Sequence, residues 1–451
     1  MEFNADTVRE ILRDKKLLEI FEKVIDKYTR GDIDEEKFKF LKEEIEKMIY
    51  KEKMPKKSKS LDLELISNSM RILNYICNIV NIQPFKGKRA IIVLHFLKDL
   101  IPFLECCRKC GLEPSETLLF YKEYLYPHKD VIKDYLESQG YAIYSLDSID
   151  VVLQSFQDIW QRNDKSIFVL EDGGYIVPRL HTDFYALGEK TIGAVEQTTK
   201  GERRDKEIER NQGLNFPIFS VAGSRLKKEY EPPHIAREVR HSIEELIRRD
   251  LSSQPVLVIG YGDIGKEIAK ELKDFMDVTV TDKDPNTLAG AKSDGFKTVE
   301  SVKEGVKNKF LIIGATGETT IGRSEILAVD HETYLVSASS DQIEINLKEL
   351  EALTARKEEI RSNGKRIGTK HIIRGTNNAV NLIADARPIN FWYRESMPDE
   401  VSDLVMALIF VTAIELAQNY ERMPKEVNTK IVDEIADRYE IARTFLEYRE
   451  R

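Results

Sequence analysis

Pro255-Val-Leu-Val-Ile259, running directly into Gly260-Tyr-Gly262-Asp263-Ile264-Gly265-Lys266, is the stretch that decides the fold. Five apolar, mostly β-branched residues read as a buried strand, and the residues from Asp263 to about Phe275 read as a helix. Glycine at each of the three places suits a tight turn, close approach of backbone N–H groups to a pyrophosphate, and packing of helix on strand. The next strand, Val278-Thr-Val280, leads to Asp282, 22 residues beyond Gly260. A carboxylate there accepts from ribose hydroxyls and repels a 2′-phosphate, so NAD is expected rather than NADP.

Outward from this loop the same texture repeats. Toward the C-terminus Phe310-Leu-Ile-Ile313 and Tyr334-Leu-Val336 continue one α/β unit; toward the N-terminus Gly87–Leu94, Leu118-Leu-Phe120, Tyr141–Tyr144, Ser166–Leu170 and Thr191–Val195 form another. A helix is expected from about Leu63 to Ile82, and the apolar run Leu404–Ile414 reads as a buried helix. Residues 6–53 are dense in Glu, Lys and Asp at helical spacing and close in the Lys-rich stretch around Pro55, which reads as a linker. The expected fold class is α/β: two Rossmann-like domains, a substrate domain plus an inserted NAD-binding domain, with an N-terminal helical extension. The boundaries expected are 1–60 for the extension, 61–235 for the first part of the substrate domain, 236–395 for the NAD-binding domain and 396–451 for helices returning to the substrate domain.

The 451 residues carry 69 Lys+Arg against 78 Asp+Glu, a formal charge of −9, which argues against a general nucleic-acid binder. No apolar stretch approaches the roughly 20 residues of a membrane span, and the N-terminus shows no secretory pattern, so a cytoplasmic protein is expected. Cys77, Cys106, Cys107 and Cys110 fit a reducing compartment; Cys107-Arg-Lys-Cys110 without a second pair or a His cluster is too weak to predict a metal site. His181-Thr-Asp183 is read as structural for the same reason.

From about Pro84 to Glu415 the chain resembles the S-adenosylhomocysteine hydrolase family. The resemblance is carried by Leu94-His95, Glu171-Asp172-Gly-Gly174, Leu180-His181-Thr182, Glu196-Gln-Thr-Thr199, Ser224 to Lys227, Gly260 to Lys266, Ala315-Thr-Gly317, Glu344-Ile345 and Arg387-Pro-Ile-Asn390, in the family's order. It implies NAD-dependent chemistry of one-carbon metabolism: oxidation of a ribose 3′-OH, loss of the C4′ proton, departure of the 5′ thioether, addition of water and return of the hydride. By resemblance Lys227, with Glu231 in place of an aspartate partner, would handle the 3′-OH proton; Asp172 would be the C4′ base, and His95 the acid/base near the 5′ position. Thr198 and Thr199 match threonines on the nicotinamide side of the cofactor, Asp282 and Asn390 match positions at its adenosine end, and Thr316 and Gly317 join the cofactor set.

Departures accompany these matches. Gln197 replaces a carboxylate with an amide that can bind a hydroxyl but not act as a base. Leu97 stands for a threonine, Asp99 for a glutamate, Ser340 for a nucleotide-site histidine, and Ser396-Met397 for a Gly-His pair. Asp99, Gln197 and Ser340 are therefore candidate substrate contacts in a reshaped site. The ending Ala442–Arg451 has no counterpart of the Lys and Tyr tail with which the family completes a neighbour's NAD site, so a homo-oligomer stays open but family-type subunit exchange is not implied. Two functions follow: an NAD-dependent enzyme acting on an adenosine-type nucleoside or thioether other than strict S-adenosylhomocysteine, or a non-catalytic protein that binds NAD and a nucleoside and regulates.

Overall fold

The apolar runs become the buried strands of two sheets in a computed structural model that describes residues 62–449, save Arg162, Ser340 and Asn377, together with Lys27 and Arg30. The expected N-terminal extension and its linker thus lie, but for those two residues, outside the described residues. The first sheet contains β1 (Arg89–Val93), β2 (Thr117–Tyr121), β3 (Ala142–Ser145), β4 (Ile167–Glu171), β5 (Thr191–Glu196), β6 (Ile218–Ser220) and, much later in the chain, β15 (Val427–Asn428). Its order is β15-β6-β5-β4-β1-β2-β3, with every pairing parallel. The second sheet is built wholly from residues between β6 and β15: β7 (Pro255–Ile259), β8 (Asp277–Thr281), β9 (Lys297–Thr298), β10 (Leu311–Gly314), β11 (Thr333–Ser337), β12 (Thr354–Ser362), β13 (Lys365–Ile373) and β14 (Ala379–Ile383). Its order is β12-β13-β14-β11-β10-β7-β8-β9; the β12–β13 and β13–β14 pairings are antiparallel and the rest parallel. The two-sheet α/β architecture with one sheet inserted into the other's sequence is as expected.

In each sheet the chain builds to one side of its first strand and then crosses to the other, and at such a switch point loops diverge and leave a crevice beyond the strand ends. In the first sheet the switch lies between β1 and β4, and in the second between β7 and β10. His95 follows β1 and Asp172 follows β4, while Gly260 follows β7 and Thr316 follows β10. Each group of candidate residues therefore sits where its topology opens a cleft.

Two departures from expectation have local causes. The helix expected over Leu63–Ile82 is two, Leu63–Ser69 and Arg71–Ile79, broken at Met70. Asp403, in the long helix Asp399–Asn419, accepts from the Ile72 N–H at 2.7 Å and the Leu73 N–H at 2.9 Å, capping the second helix from 330 residues away in sequence. The hairpin β12–β13 was not read from the sequence, because β12 is a charged, largely exposed strand with no apolar alternation. Its turn, Asn363-Gly364, has both residues at positive φ, 48° and 74°, the conformation Asn-Gly favours in a two-residue hairpin loop. The four cysteines are buried free thiols. Among the described residues no helix is long and apolar enough to cross a membrane.

Candidate functional site

The glycine loop has the backbone geometry that its sequence demands. Gly260 adopts φ +95°, and a Cβ there would come within 2.9 Å of the Ala315 carbonyl oxygen. A Cβ on Gly265 would fall 2.0 Å from the Gly260 carbonyl oxygen, so only glycine lets the helix Asp263–Lys273 sit this close to β7. Gly262, at the N-cap of that helix, faces open space on its side-chain side. A helix N-terminus with Asp263 and Ile264 in its first turn, preceded by an unobstructed glycine, fits a pyrophosphate.

Asp282 accepts from the Tyr261 N–H at 2.7 Å and the Asp284 N–H at 2.9 Å, which fixes its carboxylate beside the loop. The neighbouring cations Lys283 and Arg203 are both paired with Glu318, at 2.6 Å and 3.3 Å. A 2′-phosphate would thus meet a carboxylate and no uncommitted cation from these two side chains, the donor set of an NAD site. Across the same cleft Thr316 and Gly317 are held by Glu344, which is fully buried: its carboxylate accepts from the Thr316 N–H at 2.6 Å and the Gly317 N–H at 2.7 Å. Glu344 is a positioning residue that the sequence reading noted only as a landmark.

At the switch point of the first sheet lies a denser cluster. The Asp172 carboxylate bridges two side chains: Lys122 Nζ contacts Oδ1, and His95 Nε2 lies 3.2 Å from Oδ2. His95 Nδ1 is 2.5 Å from the Tyr126 hydroxyl, and its ring stacks on Phe391 at 4.2 Å between centroids. All of these side chains are buried. Burial alone would raise the Asp172 carboxyl, but Lys122 and His95 outweigh it and hold the group well below the usual carboxylate range. Lys122 was missed in the sequence; it lies one residue past the C-terminal end of β2, where ligand-facing residues of an open α/β sheet collect.

Lys227 and Glu231 form a second buried pair, one turn apart on the helix Arg225–Ile247. The extra methylene of Glu231 does not prevent contact, because the i,i+4 spacing places the two side chains on one face. Among the described residues no hydrogen bond or ion pair joins this pair to the His95 cluster. Thr198 caps the helix Thr199–Gln212; its hydroxyl donates to Glu196 at 2.7 Å and accepts from the Gly201 N–H at 3.0 Å, while Thr199 is exposed. The Gln197 Oε1 and Asn390 Oδ1 atoms are buried with no hydrogen-bond partner, and Asn390 Nδ2 donates to Ser396 Oγ at 2.8 Å. Asn390 precedes Phe391, whose ring stacks on His95, and Asp282 lies at the glycine loop. Asp99 Oδ2 accepts from the Ser402 hydroxyl, and burial raises its carboxyl. Ser340 falls outside the described residues. His181 is structural: its ring nitrogens meet the Val177 carbonyl oxygen at 2.8 Å and the Asn215 N–H at 3.0 Å.

The two clefts are tied to each other. Asp341, in the loop after β11, accepts from the Tyr175 hydroxyl at 2.6 Å and the Tyr124 hydroxyl at 3.2 Å, and is ion-paired with Lys200. Those three partners all come from segments attached to the first sheet.

Comparison with known proteins agrees with this geometry. The sequence model for the S-adenosyl-L-homocysteine hydrolase NAD-binding domain matches residues 237–393. The adenosylhomocysteinase of Thermoplasma acidophilum is 25% identical over 365 residues, 79% of this chain and 85% of that protein. That of Pyrococcus abyssi is 26% identical over 390 residues, 84% of this chain and 89% of its own length. The S-inosyl-L-homocysteine hydrolase of Methanopyrus kandleri is 27% identical over 326 residues, 68% and 73% of the two chains. With a glycine loop shaped for NAD, residues 237–393 match the NAD-binding domain of S-adenosyl-L-homocysteine hydrolases, and the chain is similar at low identity to adenosylhomocysteinases over most of its length.

Proposed function

We propose that the protein is an NAD-dependent enzyme that acts on an adenosine-type nucleoside or thioether by transient oxidation of its 3′-hydroxyl, with a substrate altered from S-adenosylhomocysteine. The observation that carries this reading is the buried Lys227–Glu231 pair, a cation and a carboxylate in contact and screened from water. NAD, when bound, would supply a hydride acceptor and, in its reduced form, a hydride donor. Lys227 passes a proton from its ammonium to the Glu231 carboxylate and takes the 3′-OH proton onto the amine so freed. Asp172 accepts Nε2–H of His95, which leaves Nδ1 as the acceptor facing Tyr126; that tautomer lets His95 exchange a proton at the 5′ sulfur through the tyrosine hydroxyl. Asp172 also stands as the C4′ base, and its pairing with Lys122 makes it a weak one, since a base works best with a pKa near the operating pH. Gln197 Oε1 and Asn390 Oδ1, which lack donors, would accept from hydroxyl or amide groups of the ligand. Asp99, Gln197 and the segment at Ser340 would set which nucleoside enters.

The clamped state of Asp172 favours a second reading, a protein that binds NAD and a nucleoside without turning it over. The test loads purified protein with NAD⁺, adds S-adenosylhomocysteine, S-inosylhomocysteine or adenosine in turn, and records nicotinamide absorbance together with product masses. Cofactor reduction with release of a nucleoside and homocysteine from one thioether supports the enzyme. Retained NAD⁺ with ligand binding but no reduction on any of them supports the binding protein and sinks the first reading.

A further inference from the structure

Behind the loops that carry Asp172 and Gln197 lie three carboxylates that the proposed chemistry does not use: Glu171 at the end of β4, Glu196 at the end of β5, and Asp205 in the helix Thr199–Gln212. All are at most 1% exposed, and one oxygen from each lies within 4.8 Å of the others. Glu171 accepts from the backbone N–H groups of Tyr175, Ile176 and Val177 at 2.6, 2.7 and 3.1 Å. Glu196 accepts from those of Gly173, Gly174 and Thr198 at 3.0, 2.9 and 2.6 Å. Amide donors arranged this way favour the ionised form. Asp205 is different: both its oxygens are buried and neither receives any donor, although no part of the residue reaches solvent.

A carboxylate in that position is costly unless a cation compensates it. The nearby Arg204 does not fill this role, because its guanidinium donates to the Gly173 and Gly174 carbonyl oxygens at 2.8 and 3.3 Å and lies over the Tyr175 ring. Oxygen atoms spread over up to 4.8 Å match ligands placed round a single ion with metal–oxygen distances of about 2.3–2.6 Å. We infer that Glu171, Glu196 and Asp205 form a binding site for one hard divalent cation of calcium size, Ca²⁺ or Mn²⁺, held by oxygen ligands alone. The site would fix the two loops bearing Asp172 and Gln197 to the helix behind them. It stands independently of the function proposed above, and it adds a metal that was not expected from the sequence.

The full chain would be produced with added Ca²⁺ or Mn²⁺, freed of loose metal by gel filtration, and assayed by elemental mass spectrometry and thermal unfolding. One equivalent of metal retained per chain, lost in Asp205→Asn, with a wild-type Tm lowered by about 5 °C on prolonged chelation, is the expected result. Metal-free wild-type protein whose Tm does not respond to either ion overturns the site and leaves shared protons as the means of neutralisation. An equivalent retained by Asp205→Asn overturns it too, by placing the ion elsewhere. Should that variant fail to fold, the wild-type metal content and chelation response decide alone.

Discussion

The two switch points hold charge in opposite ways. At the glycine loop the work is done by backbone: Gly260, Gly262 and Gly265 set the path, N–H groups point into the cleft, and Asp282 and Glu344 are carboxylates satisfied by amides of the same sheet. At β1 and β4 the work is done by side chains brought from three separate loops, and the charges of Lys122 and Asp172 are desolvated, in contact with each other, with His95 and with the Tyr124 and Tyr175 rings. A backbone site is robust to substitutions that spare its path. A desolvated ion-pair site depends on every partner, because removing one leaves an uncompensated charge in a medium that cannot solvate it.

The largest expected effect follows directly. Lys122→Met should cost about 3–5 kcal/mol in denaturant unfolding, and adding Asp172→Asn should recover most of it. A near-neutral Lys122→Met would mean the cluster is wet in solution and would erase the contrast. Next, Gly265→Ala should cost about 2–3 kcal/mol, since its Cβ meets the Gly260 carbonyl, and should abolish NAD binding. Gly262→Ala, whose Cβ meets nothing, should change stability by no more than about 0.5 kcal/mol while still weakening NAD, as read by calorimetric titration. The pair together separates folding from cofactor contact at one loop.

Asp403 tests whether a long-range cap behaves like the desolvated cluster. Burial pushes its carboxyl up to about 7, against the pull of the amides it caps, so the folded chain keeps a proton that the unfolded chain releases above pH of about 4. Stability should therefore fall as pH rises from about 4 to about 7, and Asp403→Asn should flatten that slope by about 2 kcal/mol over the range, measured by chemical denaturation at several pH values. On cofactor choice alone, Asp282→Asn should bring about a tenfold loss of preference for NAD over NADP, roughly 1.4 kcal/mol, with no change in fold.

The same contrast explains what could be read from the sequence. The glycine loop, its strand and helix, and Asp282 lie within 28 consecutive residues, Pro255 to Asp282, so period and spacing suffice. The family landmarks led to His95, Asp172, Lys227 and the match of Glu231. Lys122 could not be found that way, since nothing local distinguishes a lysine destined for Asp172 from one destined for solvent. Neither could the break at Met70, which depends on Asp403 in a helix more than 300 residues away, nor the three-carboxylate cluster, whose members look like a strand end, a turn and a helix surface. The hairpin β12–β13 is another matter: Asn363-Gly364 is a local signal, masked by the charge of the strands around it.

The tie at Asp341 bears on ligand kinetics. Tyr124, Tyr175 and Lys200 grip the loop after β11 through Asp341, so the protein's own groups hold the two clefts together. A nucleoside entering such a molecule must wait for a spontaneous opening, and one already inside is released at the rate at which three bonds to a single carboxylate let go together. Association and dissociation would then share one clock, slow on both sides, and Asp341→Asn would quicken both rates while leaving their ratio nearly unchanged.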